Sequence, residues 1–426
     1  MVILMRKNRI YAGLLAVSLL CSLTACGTQS EANEPEPAAQ AQVSEADNSA
    51  ADDAGADDAG ADDADEANAE DKNCCDEPKD DCCADVADCC GDAADAAALT
   101  GELEKTSFEI GHLNSTAHLL VFVAKEEGYF EEEGLDATLT LFSSAGELAT
   151  GLESGKLDVA LIGSVPSLTF QSQGHDLTIF GGAMTNGHGY VIKKEFTEGT
   201  DAKGVELLKG RNVASVKNSV QDAELQILLK NADIAIGEGE DEVNIVYFDS
   251  QKDAYAALAN STIDAASVYS PYASLAESQG YEIVYRCSEE EALENQPCCR
   301  QVAFTENLNS APNAFVAFER ALIKAYKFSQ ENEEGTIKDV KAYIDIEEDL
   351  IRTEVYGGYG TSNPDPDKQG TAALKDSIVA LGYTEDYDID SKYNTDVYSK
   401  ALDSILAENP DDPIYKGLKE HFDQYE

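Results

Sequence analysis

Between residues 110 and 164, short apolar strand-like runs alternate with stretches whose apolar residues recur at helical spacing. The strand-like runs cover residues 110–113, 135–141 and 159–162. A helix is predicted over 116–127, and Ser144 opens a second one with Glu147 three residues later, the pattern of a capping box. Strands alternating with helices predict an α/β fold with a mostly parallel sheet. Ligands of such folds lie outside the carboxyl ends of the strands.

The same alternation continues beyond this stretch, and helices dominate after about residue 310. Further strands are predicted at 177–181, 190–192, 212–216, 243–248, 265–269 and 282–285, and the glycine-rich run 182–189 is predicted as a connection. Helices are predicted at 165–173, 220–231, 252–259, 271–279, 311–332, 337–343, 368–381 and 396–408. This length fits two lobes, residues 104–193 plus 302–426 and residues 194–301. Two chain crossings between lobes fit a hinge that closes on a ligand.

Residues 1–25 have the pattern of a secretory signal. Three basic residues (Arg6, Lys7 and Arg9) precede an apolar run at 10–20, which is shorter than the about 20 residues of a membrane-spanning helix. The order Leu-Thr-Ala-Cys at 23–26 resembles a bacterial lipobox, which implies cleavage before Cys26 and lipidation of its thiol. The alternative is an ordinary secretory signal with an incidental cysteine. We expect an extracytoplasmic protein, lipid-anchored to the bacterial cell membrane.

Residues 26–103 form an acidic segment of low complexity. Ala-Asp-Asp-Ala-Gly repeats run through 51–65, and aromatic residues are absent from the segment. Such a composition cannot bury enough apolar surface to offset its ordering entropy, so a disordered tether is predicted. The formal net charge of the chain is −52, which argues against a nucleic-acid partner. The charge of the tether is explained by its role in keeping the segment solvated and extended, and it does not indicate a cationic ligand.

Three vicinal cysteine pairs lie within this tether, among several aspartates. They are Cys74-Cys75, Cys82-Cys83 and Cys89-Cys90. Soft thiolates beside carboxylates suit thiophilic metal ions, but the spacings match no CxxC zinc module. Disulfides, a redox-active tail or no defined role are the alternatives to metal binding.

Three peptides of the chain carry a family resemblance. The sequences FVAKEEGYFEEEGLD, ELATGLESGKLDVALIGSVPSL and VYSPYASLAESQGYEIV resemble the nitrate/sulfonate/taurine group of ABC-importer substrate-binding proteins, which includes riboflavin and thiamine-pyrimidine-precursor binders. The resemblance extends from about residue 104 to residue 426. It implies a two-lobed periplasmic-binding-protein type II fold with a hinge, a small-molecule ligand, and an ABC permease with its ATPase subunit as partners. A monomer is expected.

Small polar residues follow several predicted strands, at the starts of predicted helices. They are Asn114, Ser115, Thr116, Ser143, Ser144, Ser164, Asn218 and Ser219. Free backbone N–H groups at helix starts favour anions, although the same residue types are simply good N-caps. The resemblance implies that these loops line the ligand cleft, and it assigns ligand contacts to Ser115, Thr116, Ser144, Ser164, Ser219 and Tyr269.

Two histidines and an asparagine extend this candidate site. His118 lies within the first turn of its helix, and Asn186 and His188 lie in the glycine-rich connection. A histidine near neutral pH can help to hold an anion. Sulfonate binders of the resembling family often carry a tryptophan near the position of Tyr269, whereas this chain has no tryptophan. Tyr269 or Tyr272 can still stack on a ring.

A second cysteine group precedes the expected return crossing. Cys298 and Cys299 are adjacent, and Cys287 lies upstream. A disulfide between Cys287 and one of the pair is favoured in a secreted protein, with ligand contact and metal binding as alternatives. Arg300 is expected to pair with a nearby carboxylate rather than with a ligand.

Enzyme motifs are absent from the sequence. No GxSxG elbow, HExxH or GxxxxGK occurs, so we expect no catalytic residues, and any ATPase must be a separate subunit. No cofactor is expected apart from a metal on the tether. The predicted function is capture of a small organic or inorganic anion for an ABC importer. The alternatives are a heteroaromatic vitamin precursor (thiamine pyrimidine or riboflavin) as ligand, or a metal-buffering surface lipoprotein acting through the tether.

Overall fold

The computed structural model describes residues 101–293 and 295–426. The predicted signal, the lipidation site at Cys26 and the six tether cysteines lie outside these residues. The strands are β1 Ser107–His112, β2 Asp136–Leu141, β3 Val159–Gly163, β4 Leu177–Asn186, β5 His188–Ile192, β6 Arg211–Val216, β7 Val243–Phe248, β8 Ala265–Tyr269, β9 Glu282–Arg286, β10 Pro297–Phe304 and β11 Gly360–Ser362.

The helices cover the sheets and dominate the last third of the chain. They are α1 Leu119–Glu126, α2 Tyr129–Glu132, α3 Ala145–Glu153, α4 Ser164–Ser172, α5 Val220–Asn231, α6 Gln251–Ala259, α7 Tyr272–Ser278, α8 Thr305–Ser310, α9 Pro312–Glu331, α10 Glu333–Lys341, α11 Glu348–Tyr356, α12 Lys368–Ala380, α13 Asp396–Glu408 and α14 Pro413–Tyr425. A short 3-10 helix, Thr116–His118, precedes α1.

The strands form two mixed sheets, each built around a parallel core. The first has six strands in the order β11-β4-β10-β3-β1-β2, with β1 parallel to β2 and β3 and with β10 antiparallel to β3 and β4. The second has five strands in the order β7-β6-β8-β5-β9, with β6 parallel to β7 and β8. We call each sheet with its helices a lobe.

Apolar side chains cover both faces of each sheet, as the buried runs of parallel strands require. In the first lobe, Phe108 packs against Phe315 and Phe318 of α9, with ring centroids 5.2 and 5.8 Å apart. A second cluster on the opposite face contains Leu148, Ile162 and residues of α4 and α12. The second lobe has two smaller cores, one on each face of its sheet.

The chain passes between the two sheets twice. It enters the second sheet at His188 directly after β4, and it returns to the first sheet at Pro297. The boundaries predicted from the sequence place both crossings too late: β5 is predicted in the first lobe but joins the second sheet, and the predicted return at residue 302 falls inside β10. The reason is that β5 and β10 are the strands at which the chain changes sheet, and each pairs antiparallel with its neighbours. The apolar pattern of such a strand does not tell which sheet it joins.

The prediction of a glycine-rich connection at 182–189 is wrong, because β4 continues through Asn186. Gly182 lies where another chain segment touches the strand: a Cβ atom there would come within 1.9 Å of the backbone oxygen of Asp365. A glycine within a strand is typical of such close backbone approach. Only Gly187 remains as a connecting residue, in the left-handed region at φ 85°.

Most long helices agree with the predictions, and α13 matches its predicted bounds. Helices α11 and α14, and the short helices α2 and α8, are absent from the predictions. The sequence contains a start signal for α14, since Asp412 caps it and Pro413 is its first residue. No helix among the described residues is long and apolar enough to span a bilayer.

Candidate functional site

A cleft lies between the two lobes, at the carboxyl ends of several strands. We call it the central cleft; its volume is about 80 Å³, several times the roughly 10–15 Å³ that one water needs. The first lobe contributes Leu113, Ser115, His118, Ser143, Ser144, Ala145, Gly163, Pro166, Cys298 and Cys299. The second lobe contributes His188, Val216, Val220, Gln221, Asp249, Ser250, Gln251 and Tyr269.

Four helices begin at the central cleft. Helix α3 is capped by Ser144, whose Oγ accepts from the Glu147 N–H at 3.2 Å, and the Glu147 carboxylate accepts from the Ser143 N–H at 2.9 Å. This is the predicted capping box. Helix α6 is capped in the same way by Ser250, and α4 and α5 begin at Ser164 and Val220. The partial positive charges of these helix starts favour an anion, whereas the Asp249 carboxylate in the same lining opposes one.

His118 is almost fully buried, with 1% of its surface exposed. The Leu113 N–H donates to its Nδ1 at 3.1 Å, so a neutral ring carries its proton on Nε2. Nε2 is buried and makes no hydrogen bond of normal geometry within the described part of the chain, but it lies close enough to the Cys299 sulfur to lower the pKa of that thiol. Because His118 lines the cleft, this N–H group is available to a ligand or to a neighbouring sulfur.

His188 begins β5 and connects a buried glutamate to the cysteine pair. Its Nδ1 lies 3.1 Å from a carboxylate oxygen of Glu224 on α5, and its Nε2 lies 3.2 Å from the Sγ of Cys298. The Cys287 thiol donates to the other Glu224 oxygen at 2.8 Å. Burial alone would lower the pKa of His188, but the charge and hydrogen bond of Glu224 outweigh it and raise this pKa.

Cys298 and Cys299 lie on β10 with their sulfur atoms 3.4 Å apart. The hydrogen bond from the Cys298 thiol, together with the rings of His118 and His188, holds the pKa of Cys299 well below its usual range. The same thiol–thiol contact and burial raise the pKa of Cys298. Within the pair, Cys299 is therefore the more acidic thiol.

The disulfide favoured by the sequence is not formed. All three cysteines of the described residues are free thiols. Cys287 contacts Glu224 and Cys298 contacts His188, so the carboxylate and the imidazole lie between the thiols. Arg300 is buried and points away from the cleft, where it contacts Asp367 at 3.4 Å and the Met184 carbonyl. Its pairing with a carboxylate confirms the expectation.

The structure brings half of the predicted ligand residues to the central cleft. Ser115, Ser143, Ser144, His118, His188 and Tyr269 line it. Asn218 and Ser219 border an adjoining opening of about 310 Å³, which shares Ser144 and Asp249 with the cleft.

The other four predicted residues do not line either opening. The Thr116 hydroxyl contacts that of Ser270, and the Asn186 amide oxygen accepts from the Gln296 N–H at 3.1 Å. Ser164 is fully buried. Asn114 is half-buried next to Ser115.

Several cleft residues were not predicted. Asp249 and Ser250 follow β7, so the rule that identified the other strand ends also applies to them. Gln221 and Gln251 face each other, with Nε2 of Gln221 donating to Oε1 of Gln251 at 3.0 Å. Their buried amides had no sequence signal, because glutamine within a helix is usually a solvent-exposed residue.

Comparison with known proteins identifies the family. The NMT1-like family model matches residues 101–344, more than half of the chain. Binding protein YtlA of Bacillus subtilis (strain 168) is 26% identical over 253 residues, which cover 58% of this chain and 74% of YtlA. A Bacillus subtilis (strain 168) protein named for binding aliphatic sulfonates is 29% identical over 174 residues, covering 39% of this chain and 48% of that protein.

A solved structure confirms the fold class. The periplasmic nitrate-binding protein NrtA from Synechocystis PCC 6803 superposes with a TM-score of 0.61 at 14% identity, covering 76% of this chain and all of that one. At this identity the likeness concerns the fold, which is that of two-lobed periplasmic binding proteins. The chain therefore belongs to the NMT1-like family, and the two Bacillus subtilis relatives are named as binding proteins.

Proposed function

We propose that this protein is the extracytoplasmic solute-binding lipoprotein of an ABC importer, and that it captures a small anion in the central cleft and delivers it to the permease. The observation that carries the proposal is the convergence of four helix N-termini, those of α3, α4, α5 and α6, on one cleft between two lobes. Their amide groups supply positive potential without an arginine or lysine among the residues that line the cleft.

Capture requires closure of the lobes on the solute. Both lobes contribute groups to the cleft, so a ligand there contacts both only when they are close together. A ligand shifts the lobes toward closure only by its differential affinity for the closed form. The names of two relatives support the choice of an anion, since they refer to aliphatic sulfonates and nitrate. The cleft volume of about 80 Å³ is large enough for a small anion such as nitrate.

Ala145 allows a direct test of the anion proposal. It is the first residue of α3, is partly exposed and lines the cleft. Ala145→Asp places a carboxylate at the proposed anion site, whereas Ala145→Asn adds a side chain of nearly the same size without charge. We expect Ala145→Asp to weaken binding of nitrate or a short alkyl sulfonate at least about tenfold relative to Ala145→Asn, because like charges at close range cost several kcal/mol.

Isothermal titration of the purified full chain with both anions measures this difference. A native-state ligand at a hundred times its dissociation constant also adds about 2.7 kcal/mol of stability, so a thermal-shift screen selects the anion first. Equal affinity in the two variants would show that the ligand does not sit at the α3 terminus. A shift with a pyrimidine precursor or riboflavin, and none with any anion, would replace the anion by a heteroaromatic ligand.

A further inference from the structure

We infer that Cys298 and Cys299 form an oxidation site in the wall of the central cleft, where a small hydroperoxide converts the two thiols into a reversible vicinal disulfide. The two cysteines are adjacent on β10, and both line the cleft. The inference goes beyond the proposed function, and it does not depend on which solute the cleft captures.

The backbone of β10 explains why two adjacent residues present their sulfurs together. Neighbouring residues of a regular strand point to opposite faces. The pairing of β10 with β4 shifts register between Pro297 and Cys299 and again between Cys299 and Arg300. Such bulges re-aim side chains, and here the two sulfurs lie 3.4 Å apart on the same cleft. Since a disulfide bond is about 2.0 Å long, the sulfurs must approach each other by about 1.4 Å to form one.

The two thiols differ in acidity, as attack and resolution require. The contact with Cys299 and burial raise the pKa of Cys298, whereas the Cys298 thiol and the rings of His118 and His188 hold the pKa of Cys299 well below its usual range. The thiolate is the form of cysteine that attacks peroxides, and oxidation-sensitive cysteines often lie next to a second, resolving cysteine. Cys299 is therefore the attacking residue and Cys298 the resolving one.

His118 is placed to support the thiolate form of Cys299. Its Nδ1 accepts from the Leu113 N–H, so a neutral ring carries its proton on Nε2, beside the Cys299 sulfur. This buried Nε2 makes no hydrogen bond of normal geometry within the residues that the structure describes. A buried donor without an acceptor costs free energy. Ionisation of Cys299 supplies the acceptor, so the two groups stabilise each other.

The size of the central cleft suits a small oxidant. Its volume is about 80 Å³, and one water needs roughly 10–15 Å³, so hydrogen peroxide with its two oxygen atoms fits. Cys299 is 8% exposed and lines the cleft, so its sulfur is reached from the cleft. The site therefore favours small hydroperoxides over bulky disulfide oxidants.

The reaction has two steps. In the first, the Cys299 thiolate attacks one oxygen of hydrogen peroxide: an S–O bond forms, the O–O bond breaks, and the departing hydroxide takes up the proton that the thiol had released. The products are a sulfenic acid and one water.

In the second step, the Cys298 sulfur attacks the Cys299 sulfur, so that an S–S bond forms and the S–O bond breaks. The Cys298 proton leaves with the hydroxide as a second water, by way of His188 Nε2, which lies 3.2 Å from the Cys298 sulfur. In sum, the two thiols lose two hydrogens and one hydrogen peroxide becomes two waters.

A disulfide between adjacent residues is easily reduced again. Neighbouring Cα atoms lie about 3.8 Å apart across a trans peptide bond, whereas the Cα atoms of disulfides usually lie roughly 4.4–6.8 Å apart. Departure from the usual geometry makes a disulfide more reducible, and such bonds are the labile ones. The cleft wall therefore has two interconvertible covalent forms.

Cys287 is a matched control within the same chain. Its thiol donates to the Glu224 carboxylate at 2.8 Å, and it is fully buried without lining the cleft. Burial raises its pKa well above the usual range. We expect this thiol to stay reduced under conditions that oxidise the pair.

Peptide mapping of the full chain tests the inference. The reduced, folded protein is treated with a small excess of hydrogen peroxide, and the remaining thiols are alkylated. Cleavage after Arg286 and Arg300 releases one peptide that contains Cys287 and the pair, and further cleavage after the glutamates between residues 289 and 294 separates them. We expect fragment 295–300 to carry no alkyl group and to be lighter than its reduced form by two hydrogens, with Cys287 alkylated.

Dithiothreitol should return both thiols of this fragment. Alkylation of both cysteines after peroxide treatment would overturn the inference. A disulfide that links fragment 295–300 to Cys287 would overturn it as well. The readout is the mass of the chain itself, so none of these outcomes depends on whether the cleft binds an anion.

Single variants separate the attacking thiol from the resolving one. In Cys298→Ser the sulfenic acid of Cys299 cannot be resolved, and it should be captured by dimedone, a reagent selective for sulfenic acids. In Cys299→Ser the remaining thiol should react at least about tenfold more slowly, because less of it is thiolate. Cys287→Ser should form the vicinal disulfide at the parent rate. Equal rates in the first two variants would overturn the assignment, and circular dichroism establishes that each variant is folded.

His118→Asn, made in the Cys298→Ser background, tests the positioning role of His118. The asparagine amide oxygen occupies the place of Nδ1 and keeps an acceptor for the Leu113 N–H, whereas the N–H beside Cys299 is lost. We expect dimedone capture to slow about tenfold and the ultraviolet absorbance of the thiolate to fall. An unchanged rate and absorbance would overturn the role of His118.

Discussion

At the scale of single residues, Asp339 on α10 sets a pH dependence of stability. It is 1% exposed, and neither carboxylate oxygen has a hydrogen-bond partner among the described residues. Burial, and then the charge of Glu127, raise its pKa to about 6. In the unfolded chain an aspartate titrates near about 3.9. Between these values the native state binds more protons than the unfolded state, so stability falls as pH rises from about 4 through about 6.

Above pH 6, Asp339→Asn removes the free-energy cost of keeping an ionised carboxylate buried in the native state. We expect the substitution to stabilise the protein by about 2 kcal/mol more at pH 8 than at pH 4, since the native aspartate is ionised only at the higher pH. Urea unfolding of both proteins at the two pH values measures the difference. A gain of the same size at pH 4 and pH 8 would contradict the assignment, because an uncharged packing effect does not titrate.

Part of the candidate site follows from local features of the sequence and from the family resemblance. Ser115, Ser144 and His118, which are predicted as ligand residues, line the cleft, because strand ends and helix starts are local features. The roles of Cys298 and Glu224 could not be predicted, since Cys298 meets His188 across 110 positions of sequence and Glu224 meets Cys287 across 63. Contacts of this kind depend on how two sheets are joined, which the apolar pattern does not specify.

At the scale of elements, β4 requires glycine at position 182, because another backbone segment packs directly against the strand there. The Gly182 N–H donates to the Pro364 carbonyl at 2.7 Å, and a Cβ atom at Gly182 would lie 1.9 Å from the Asp365 oxygen. Gly182→Ala should therefore destabilise the protein by about 3 kcal/mol through overpacking against backbone. Gly417, exposed within α14, has open space around its Cβ position. Gly417→Ala should stabilise by about 1 kcal/mol.

Chemical denaturation of the two alanine variants tests this contrast. The two variants should change the free energy of unfolding in opposite directions. In the helix, alanine loses less backbone entropy on folding than glycine does, whereas in the strand its Cβ atom clashes with backbone. A Gly182→Ala variant as stable as the parent would show that the 363–366 segment moves aside at little cost.

The glycines also explain why residues 182–189 were wrongly predicted as a connection. Glycine is favoured both where two backbone segments approach closely and in turns, so composition alone does not distinguish the two.

At the scale of the whole molecule, polar contacts hold the two lobes together in two zones. In one zone, the Ser115 hydroxyl donates to the Ser270 carbonyl at 2.9 Å, and the Ser274 N–H donates to Glu354 at 2.9 Å. In the other, Tyr383 of the first lobe donates its hydroxyl to Asp222 of α5 at 2.7 Å. These contacts span at least 80 positions of sequence, so the two-lobed class could be predicted but not the contacts that join the lobes.

Tyr383→Phe tests whether these zones act together as a closure device. The Tyr383 oxygen also accepts from the Gln226 amide at 2.6 Å, so the change removes two bonds between the lobes. A hydrogen bond to a charged group contributes about 1.5–3 kcal/mol, which corresponds to at least about tenfold in the balance between closed and open forms. Tyr387→Phe is the matched control, because the Tyr387 hydroxyl donates to Gln171 at 2.6 Å within the first lobe.

Hydrogen exchange followed by mass spectrometry distinguishes the two variants. If the lobes move as bodies, Tyr383→Phe speeds exchange about tenfold in peptides from both contact zones, 217–223 and 270–276, because breaking one zone also loosens the other. Tyr387→Phe should lower overall stability without changing exchange in either zone selectively. Faster exchange confined to 217–223 would show local fraying of α5 instead. Closure would then have to depend only on the zone that contains the Ser115–Ser270 and Ser274–Glu354 hydrogen bonds.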